Sequence, residues 1–138
     1  MTTHTATAFL AFLFAAASAS AADLTITVEG VASADGQVLV ALYNSAGTFR
    51  GKPYRARMAP ASAGAVTLEV KELPAGDYAF AVYHDANRNG KLDLNVVGMP
   101  VEDYAFSNNA MGNRGAPAYE DARFQVPAGG AAVSVNLR

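Results

Sequence analysis

Tyr78-Ala-Phe80-Ala-Val82-Tyr-His84, followed directly by Asp85-Ala-Asn87-Arg-Asn89-Gly90-Lys91-Leu-Asp93, is the stretch from which the fold and a candidate site are inferred. Its first part alternates along the chain with the period of two that is typical of a half-buried β-strand. Its second part places oxygen-bearing side chains at alternate positions, and Gly90 permits a sharp turn. The stretch therefore predicts a strand that leads into a polar, tightly curled loop.

Five further runs repeat this alternation, and with the first they predict an all-β fold. We expect an antiparallel β-sandwich of about seven strands, with 53–58 and 104–107 as additional strand candidates and a small closed barrel as the alternative. Asp35-Gly36 and Pro127-Ala-Gly129-Gly130 predict two hairpins. Helix is expected only as a single turn near 102–106 or 118–121. The six runs are 24–28, 38–43, 66–70, 78–82, 122–126 and 133–137.

The first 22 residues have the features of a secretory signal peptide. An apolar core at 9–17 is followed by small residues, and A-x-A patterns at 17–19 and 19–21 place the cut between Ala19 and Ala22. The alternative is a short buried helix; a membrane span is not expected, because spanning takes about 20 apolar residues. We therefore predict a signal peptide over 1–22, one domain over 23–138, and a periplasmic or secreted location.

Composition limits the classes of partner. The chain has no cysteine, so an exported form has no disulfide framework, and its net charge of −2 gives no general attraction to nucleic acid. Arg50, Lys52, Arg55 and Arg57 form a local basic segment with Phe49 and Tyr54 among them. This segment is either an anion-binding loop or a solvated loop.

The loop spacing D-x-N-x-N-G-x-x-D matches the first nine positions of a calcium loop of the EF-hand kind. On that pattern Asp85, Asn87 and Asn89 offer side-chain oxygens, Lys91 offers its backbone carbonyl, and Asp93 reaches the ion directly or through water. These five residues are the predicted metal site, and Ca²⁺ is the predicted ion.

The pattern departs from a full calcium loop at position 12, where Val96 replaces a bidentate glutamate. Glu102, Asp103 or Asp121 could supply the missing carboxylate, and the affinity is expected to be modest, about 10⁻⁴ to 10⁻³ M. The alternative is an Asx-rich turn in which the same side chains bond backbone amides and no metal binds.

His84 beside Asp85 raises the alternative of a small periplasmic hydrolase. Ser107 and Ser45 are the nearest candidate nucleophiles, and Glu69, Glu102 and Glu120 could provide a carboxylate pair. A histidine at a strand end that only supports the loop is the simpler interpretation. Tyr104, Phe106 and Tyr119 fall in the polar region and are predicted to be exposed contact residues.

The whole of 73–110 also resembles a known family. Leu73-Pro74-Ala75-Gly76-Asp77-Tyr78, the loop from His84 to Asp93, Gly98-Met99-Pro100 and Phe106-Ser107-Asn108-Asn109-Ala110 together resemble the DUF2141 family of exported bacterial proteins. That resemblance implies a β-sandwich and a signal peptide, and it brings no established activity.

The L-P-x-G-x-Y motif at 73–78 is also similar to transthyretin-like and Cna-B-type sandwich modules, some of which carry such calcium loops. That likeness implies an immunoglobulin/transthyretin-like sandwich with a long loop after the central strand. Such modules serve mostly in binding, spacing or adhesion. The sequence thus predicts an exported, non-enzymatic binding or structural module with a calcium-stabilised loop, whose partner is a protein or glycan of the cell envelope.

Overall fold

The computed structural model describes residues 21–138, and these form eight strands with two single helical turns. The sequence prediction for 1–20 lies outside the described residues. The helical turns are a 3₁₀ turn (Ser107–Asn109) and α1 (Tyr119–Ala122). The strands are β1 (Ala21–Val31), β2 (Gln37–Tyr43), β3 (Arg55–Pro60), β4 (Gly64–Pro74), β5 (Gly76–Asp85), β6 (Tyr104–Phe106), β7 (Phe124–Val126) and β8 (Ala131–Asn136).

The strands form two sheets that pack face to face. A three-stranded sheet has the order β4-β1-β8, and a five-stranded sheet has the order β3-β2-β5-β6, with β7 also paired to β5. Side chains from the inner faces of both sheets, such as Ile26 and Phe80, belong to one hydrophobic core. The all-β sandwich predicted from the alternating runs is therefore confirmed.

Strand alternation accounts for this core. Leu24, Ile26 and Val28 are fully buried, and so is Phe80 on the facing strand β5. Complete burial of each such side chain contributes about 1.5–3 kcal/mol relative to exposure. The strands thus form where the sequence offers a continuous apolar face to the opposite sheet.

Both predicted hairpins are wrong. β1 and β2 lie in different sheets, and β8 pairs with β1 in parallel, with Leu24 opposite Ala131, while β7 pairs with β5. A glycine-containing turn reverses the chain whether the next strand pairs with the previous one or crosses to the other sheet. In a sandwich both arrangements point the apolar face toward the same core, so alternation cannot distinguish them.

The minor elements are partly as predicted. The extra strand expected at 53–58 is β3, and the helical turn expected at 118–121 is α1. The strand candidate at 104–107 is confirmed as β6, because Tyr104–Phe106 pairs with β5, and the helical turn considered at 102–106 is therefore wrong. Cross-strand hydrogen bonds and burial of Phe106 outweigh any local helical tendency there.

The outer faces of the two sheets differ. On the small sheet, residues such as Thr67, Glu69 and Ser134 are exposed. On the large sheet, a second apolar cluster of Ala79, Phe106, Tyr119 and Ala122 lies outside the sheet, and Phe49 packs against it. The segments 44–54 and 107–122, which contribute Phe49, Tyr119 and Ala122 to this cluster, cover part of the outer face. No helix among residues 21–138 is long and apolar enough to cross a membrane.

Candidate functional site on the outer face of the large sheet

Asp85 organises the start of the polar loop. It is the last residue of β5 and is fully buried. Gln37 Nε2 donates to Asp85 Oδ2 at 2.9 Å, the amide of Gly90 donates to the same oxygen at 2.8 Å, and the amide of Asn89 donates to Oδ1 at 3.2 Å. Burial raises the pKa of Asp85, but these hydrogen bonds outweigh burial and the net pKa is lowered.

Gly36 explains how the loop can begin so close to β2. Its φ is +70°, and a Cβ at this position would lie 2.1 Å from the carbonyl oxygen of Asp85. Only glycine fits this approach, and it places the next residue, Gln37, directly beside the Asp85 carboxylate.

Two asparagines complete the curl of the loop. Asn87 Oδ1 accepts the amide of Asn89 at 3.2 Å, and Asn89 Oδ1 accepts the amide of Lys91 at 2.9 Å. Their side-chain nitrogens donate to the two carboxylate oxygens of Asp93. The structure therefore brings together Asp85, Asn87, Asn89 and Asp93, with Lys91 on the same turn.

Glu102 joins this group from the far end of the loop. Its Oε2 accepts the amide of Asp93 at 3.1 Å. The pKa of Glu102 is raised, first by burial and then by the negative charges of Asp93 and Asp85. Three acids were candidates to replace the missing position-12 glutamate, and of these Glu102 contacts the loop. Asp121 lies in α1, and the backbone carbonyl of Asp103 accepts the amide of His84.

The loop fits a cation in its donor chemistry but not in the number of gathered acids. Residues 21–138 contain no group of three or more His, Cys, Asp or Glu side chains placed to hold a metal ion. The donor chemistry nevertheless suits a hard cation, since carboxylate and amide oxygens are its preferred ligands. To bind here, a cation would displace the hydrogen bonds from Asn87 and Asn89 to Asp93.

His84 has a structural position. Its side chain is buried, and Nε2 lies 2.6 Å from the carbonyl oxygen of Asp35. His84 and Asp85 are consecutive on β5, so their side chains point to opposite faces of the sheet. The structure therefore does not bring together the His84–Asp85 pair that the hydrolase alternative needs.

The candidate nucleophiles and acids are also dispersed. Ser107 Oγ accepts the amide of Phe80 at 3.0 Å and lies 2.6 Å from the carbonyl of Ala122, while Ser45 bonds Thr48 in an exposed loop. The three glutamates considered as a pair lie in different elements: Glu69 on β4, Glu102 in the polar loop and Glu120 in α1.

The prediction of exposed aromatic contacts is wrong for two of three residues. Phe106 and Tyr119 are buried in the outer apolar cluster, and Tyr104 is partly buried. Phe49 holds them there, with ring centroids 6.0 Å from Phe106 and 5.7 Å from Tyr119. Apart from Tyr54, the large exposed apolar side chains are not aromatic: Met58, Leu94, Val96, Val97, Met99, Val101 and Met111.

Most of these aliphatic residues lie on a small hairpin over 93–101. Leu94 pairs with Pro100, and the amide of Val101 donates to the carbonyl of Asp93 at 2.9 Å. Asn95 closes the tip, since its Oδ1 accepts the amides of Val97 and Met99, each at 3.0 Å. We call this segment the aliphatic hairpin.

A groove of about 780 Å³ lies between the aliphatic hairpin and the segment 111–116, on the outer face of the large sheet. Ala41 and Ala81, directly opposite one another on β2 and β5, form part of its floor. Leu94 and Met99 line it from the hairpin, and Met111 lines it from the other segment. No sequence motif marks Ala41 or Ala81, which read as ordinary strand residues.

The basic residues of the segment 50–57 differ in their surroundings. Arg50 lines the groove, and so does Arg114, which is distant in the sequence. Arg55 instead stacks over the ring of Tyr54 at 5.4 Å, and Arg57 donates to the carbonyl of Ala56. Of the four bases of the segment, only Arg50 lines the groove, and Arg55 and Arg57 make other contacts.

No curated protein and no solved structure matches the chain. One family model does match, and it is described as an uncharacterized protein conserved in bacteria (DUF2141). It matches residues 26–134, from within β1 to within β8, and so spans nearly all of the described fold. The chain therefore belongs to the DUF2141 family.

Proposed function

We propose that this protein is an exported, non-enzymatic binding module of the bacterial cell envelope, in which a calcium-stabilised loop forms one wall of a ligand groove. The observation that carries the proposal is the groove of about 780 Å³, which the sheet, the aliphatic hairpin and the segment 111–116 enclose. Ligand sites are typically concave, mostly apolar and of about 300–1,000 Å³.

The hydrogen-bond network of Asp85 supports a positioning role for the polar loop. Asp85 connects β2, through Gln37, to the turn at Asn89 and Gly90. The aliphatic hairpin follows directly, anchored by the bond between Val101 and Asp93. A loop fixed at its base in this way holds one groove wall in place without a ligand, which lowers the entropic cost of binding.

The acids of the loop support a role for calcium. Glu102 lies near Asp93 and Asp85, and its pKa is raised first by burial and also by the negative charges of these two carboxylates. A divalent cation would relieve this repulsion. Glu102 would then replace the position-12 glutamate of a full calcium loop, where this chain has Val96. In the proposal, calcium supplies charge neutralisation and loop order and takes no part in chemistry.

The positions of His84 and Ser107 favour binding over hydrolysis. His84 contacts the carbonyl of Asp35 on the core side of β5, and Ser107 bridges Phe80 and Ala122. Both side chains thus already serve the fold. Among residues 21–138, no specific contact favours the hydrolase alternative.

Thermal unfolding of chelator-stripped protein, with and without calcium, tests the proposal. With a dissociation constant of about 10⁻⁴ to 10⁻³ M, about 5 mM calcium should add roughly 1–2 kcal/mol to the free energy of unfolding. For a domain of this size, we expect a rise in Tm of roughly 3–10 °C. Magnesium at the same concentration should give a smaller rise, because it demands stricter geometry and dehydrates reluctantly.

Three variants locate the response. Asp93→Asn and Glu102→Gln should each reduce the calcium-dependent rise, and Glu69→Gln, on the exposed face of β4, should leave it unchanged. Without calcium, Glu102→Gln should be at least as stable as the parent at pH 7, because it removes the repulsion with Asp93 and Asp85. An unchanged Tm in the parent protein on adding calcium would refute the calcium part of the proposal.

A further inference from the structure

The residues that line the groove limit the class of ligand that it can bind. Its floor includes Ala41 and Ala81, which face each other across β2 and β5 and are both only half-buried. Directly opposed residues on neighbouring strands have Cβ atoms about 4.5–5.5 Å apart, so two alanines leave a shallow depression between larger neighbours. Tyr43 and Tyr83 rise on the same face, two residues further along each strand.

The walls of the groove carry exposed apolar side chains. Met99 and Leu94 lie on one side and Met111 lies on the other, and all three side chains are more than half exposed. Methionine adapts its shape readily to an apolar ligand. Exposed apolar side chains that face one another across a concave surface indicate a site for an apolar body.

The charged lining has one sign. Arg50 and Arg114 are the only charged residues that line the groove, and no Asp or Glu of the described chain lines it. Neither arginine takes part in the ion pairs of residues 21–138, which join Lys71 to Glu69 and Arg123 to Asp77 and Glu120. Two guanidinium groups without an acidic partner favour a ligand that brings its own negative charge.

The backbone at both arginines allows their side chains to be removed without disturbing the turns. Arg50 has a φ of +65° and Arg114 has a φ of +63°, a left-handed conformation that favours glycine. Arginine is therefore not the residue that the backbone alone would select at either position. Because glycine suits the same backbone, each arginine can be replaced by glycine with little strain, and its side chain can be tested separately from the turn.

We infer that the groove binds a small amphipathic anion, an aliphatic body that carries one carboxylate, with the body over Ala41 and Ala81 and the carboxylate at Arg50 and Arg114. This inference rests on the proposed binding function and names its ligand class. A planar guanidinium matches a carboxylate through two parallel hydrogen bonds, and the methionines and Leu94 surround the aliphatic body. A neutral alcohol of the same length lacks the charged contact.

The methionine methyl groups provide a direct test. Protein labelled with ¹³C at the methionine methyls is titrated with decanoate below its micelle concentration, and with decanol and decyltrimethylammonium as neutral and cationic probes. Met99 and Met111 line the groove, whereas Met58 is exposed on β3 outside it and serves as an internal control. We expect saturable shifts at Met99 and Met111 with decanoate, at least tenfold tighter than with decanol.

Three glycine variants separate the arginine contact from folding. Arg50→Gly and Arg114→Gly should each weaken decanoate binding by about tenfold or more, with an unchanged or higher Tm, because glycine tolerates the left-handed backbone. Arg88→Gly is the matched control, since Arg88 also has a positive φ, +58°, and does not line the groove. Ala81→Leu should block the floor and abolish binding of the aliphatic body.

Several outcomes would overturn the inference. Equal affinity for decanoate and decanol would show that the negative charge does not contribute to binding. Shifts at Met58 as large as those at Met99 would indicate nonspecific adsorption. If none of the probes gives a saturable shift, small amphipathic anions are excluded as ligands of the groove. The calcium-dependent Tm is measured on the same sample, so a failure of the ligand is distinguishable from a failure of the proposed function.

Discussion

At the scale of single residues, Asp85 connects the fold to the groove. It is a buried carboxylate that is satisfied by donors from two places: the side chain of Gln37 on β2 and the amides of Asn89 and Gly90 in the loop. A buried charge is tolerated only with such partners, since an unpaired one would be very costly. The side chain thus determines where the loop begins and where the aliphatic hairpin can lie.

Asp85→Asn should destabilise the protein by about 2–4 kcal/mol at neutral pH, because an amide group replaces an acceptor that faces N–H donors. The folded-state pKa of Asp85 is lowered, so its contribution is present above its ordinary value of 3.8 and is lost as pH falls through the lowered pKa. Urea unfolding at neutral and acidic pH should show the difference between parent and variant shrinking on acidification. A pH-independent difference would contradict this account, and the exposed Asp77→Asn serves as the control.

At the scale of elements, Ser107 compensates for a gap along β5. β7 pairs with the start of β5, as far as Tyr78, and β6 pairs with the later part, from Ala81. The amide of Phe80 lies between these two pairings and donates to Ser107 Oγ instead. The same hydroxyl lies 2.6 Å from the carbonyl of Ala122 at the end of α1, so one side chain joins three elements.

Ser107→Ala should therefore cost about 1–3 kcal/mol, the usual cost of leaving a buried polar group unsatisfied. Hydrogen exchange at the amide of Phe80 should accelerate by more than the change in global stability explains. Ser45→Ala, in an exposed loop, should change the free energy of unfolding by less than about 0.5 kcal/mol. Equal costs for the two variants would show that the Ser107 contacts contribute little.

At the scale of the whole molecule, the outer faces of the two sheets differ: one is polar and exposed to solvent, and the other is partly covered by loop segments. The outer face of the small sheet presents residues such as Thr67 and Glu69 to solvent. The outer face of the large sheet has the cluster around Phe106 and Tyr119 beside the groove. The two outer faces therefore differ in polarity, and the groove lies on the less polar one.

Export is the prediction that belongs to this scale. The first described strand begins at Ala21, and Ala22 is 2% exposed and pairs with Leu73. A cut after Ala19 or Ala21 retains Ala22, so we expect the exported chain to begin at Ser20 or Ala22. Mass spectrometry of the periplasmic fraction after expression in a bacterium checks this. Recovery of only the full-length chain in the cytoplasm would contradict export.

The strands could be predicted because the alternation of apolar and polar residues within each strand identifies its inner face. The alternation in 24–28 and 78–82 predicts a buried face without reference to any partner. The partner of each strand was not predictable, as the two wrong hairpins show, because pairing depends on which strand lies alongside rather than on local turn residues. The parallel pairing of β8 with β1 joins the two ends of the described chain and leaves no local trace in the sequence.

The candidate site divides in the same way. Spacing alone determined that Asp85, Asn87, Asn89 and Asp93 would gather in one curled loop, because a short turn can be derived from its own residues. Only the tertiary structure decided that Glu102 reaches this loop, that His84 points away from it, and that Ala41 and Ala81 form the floor of a groove edged by Arg50 and Arg114. The physical reason is that these contacts join residues distant in the chain, whose meeting depends on how the two sheets pack and on which segment covers which face.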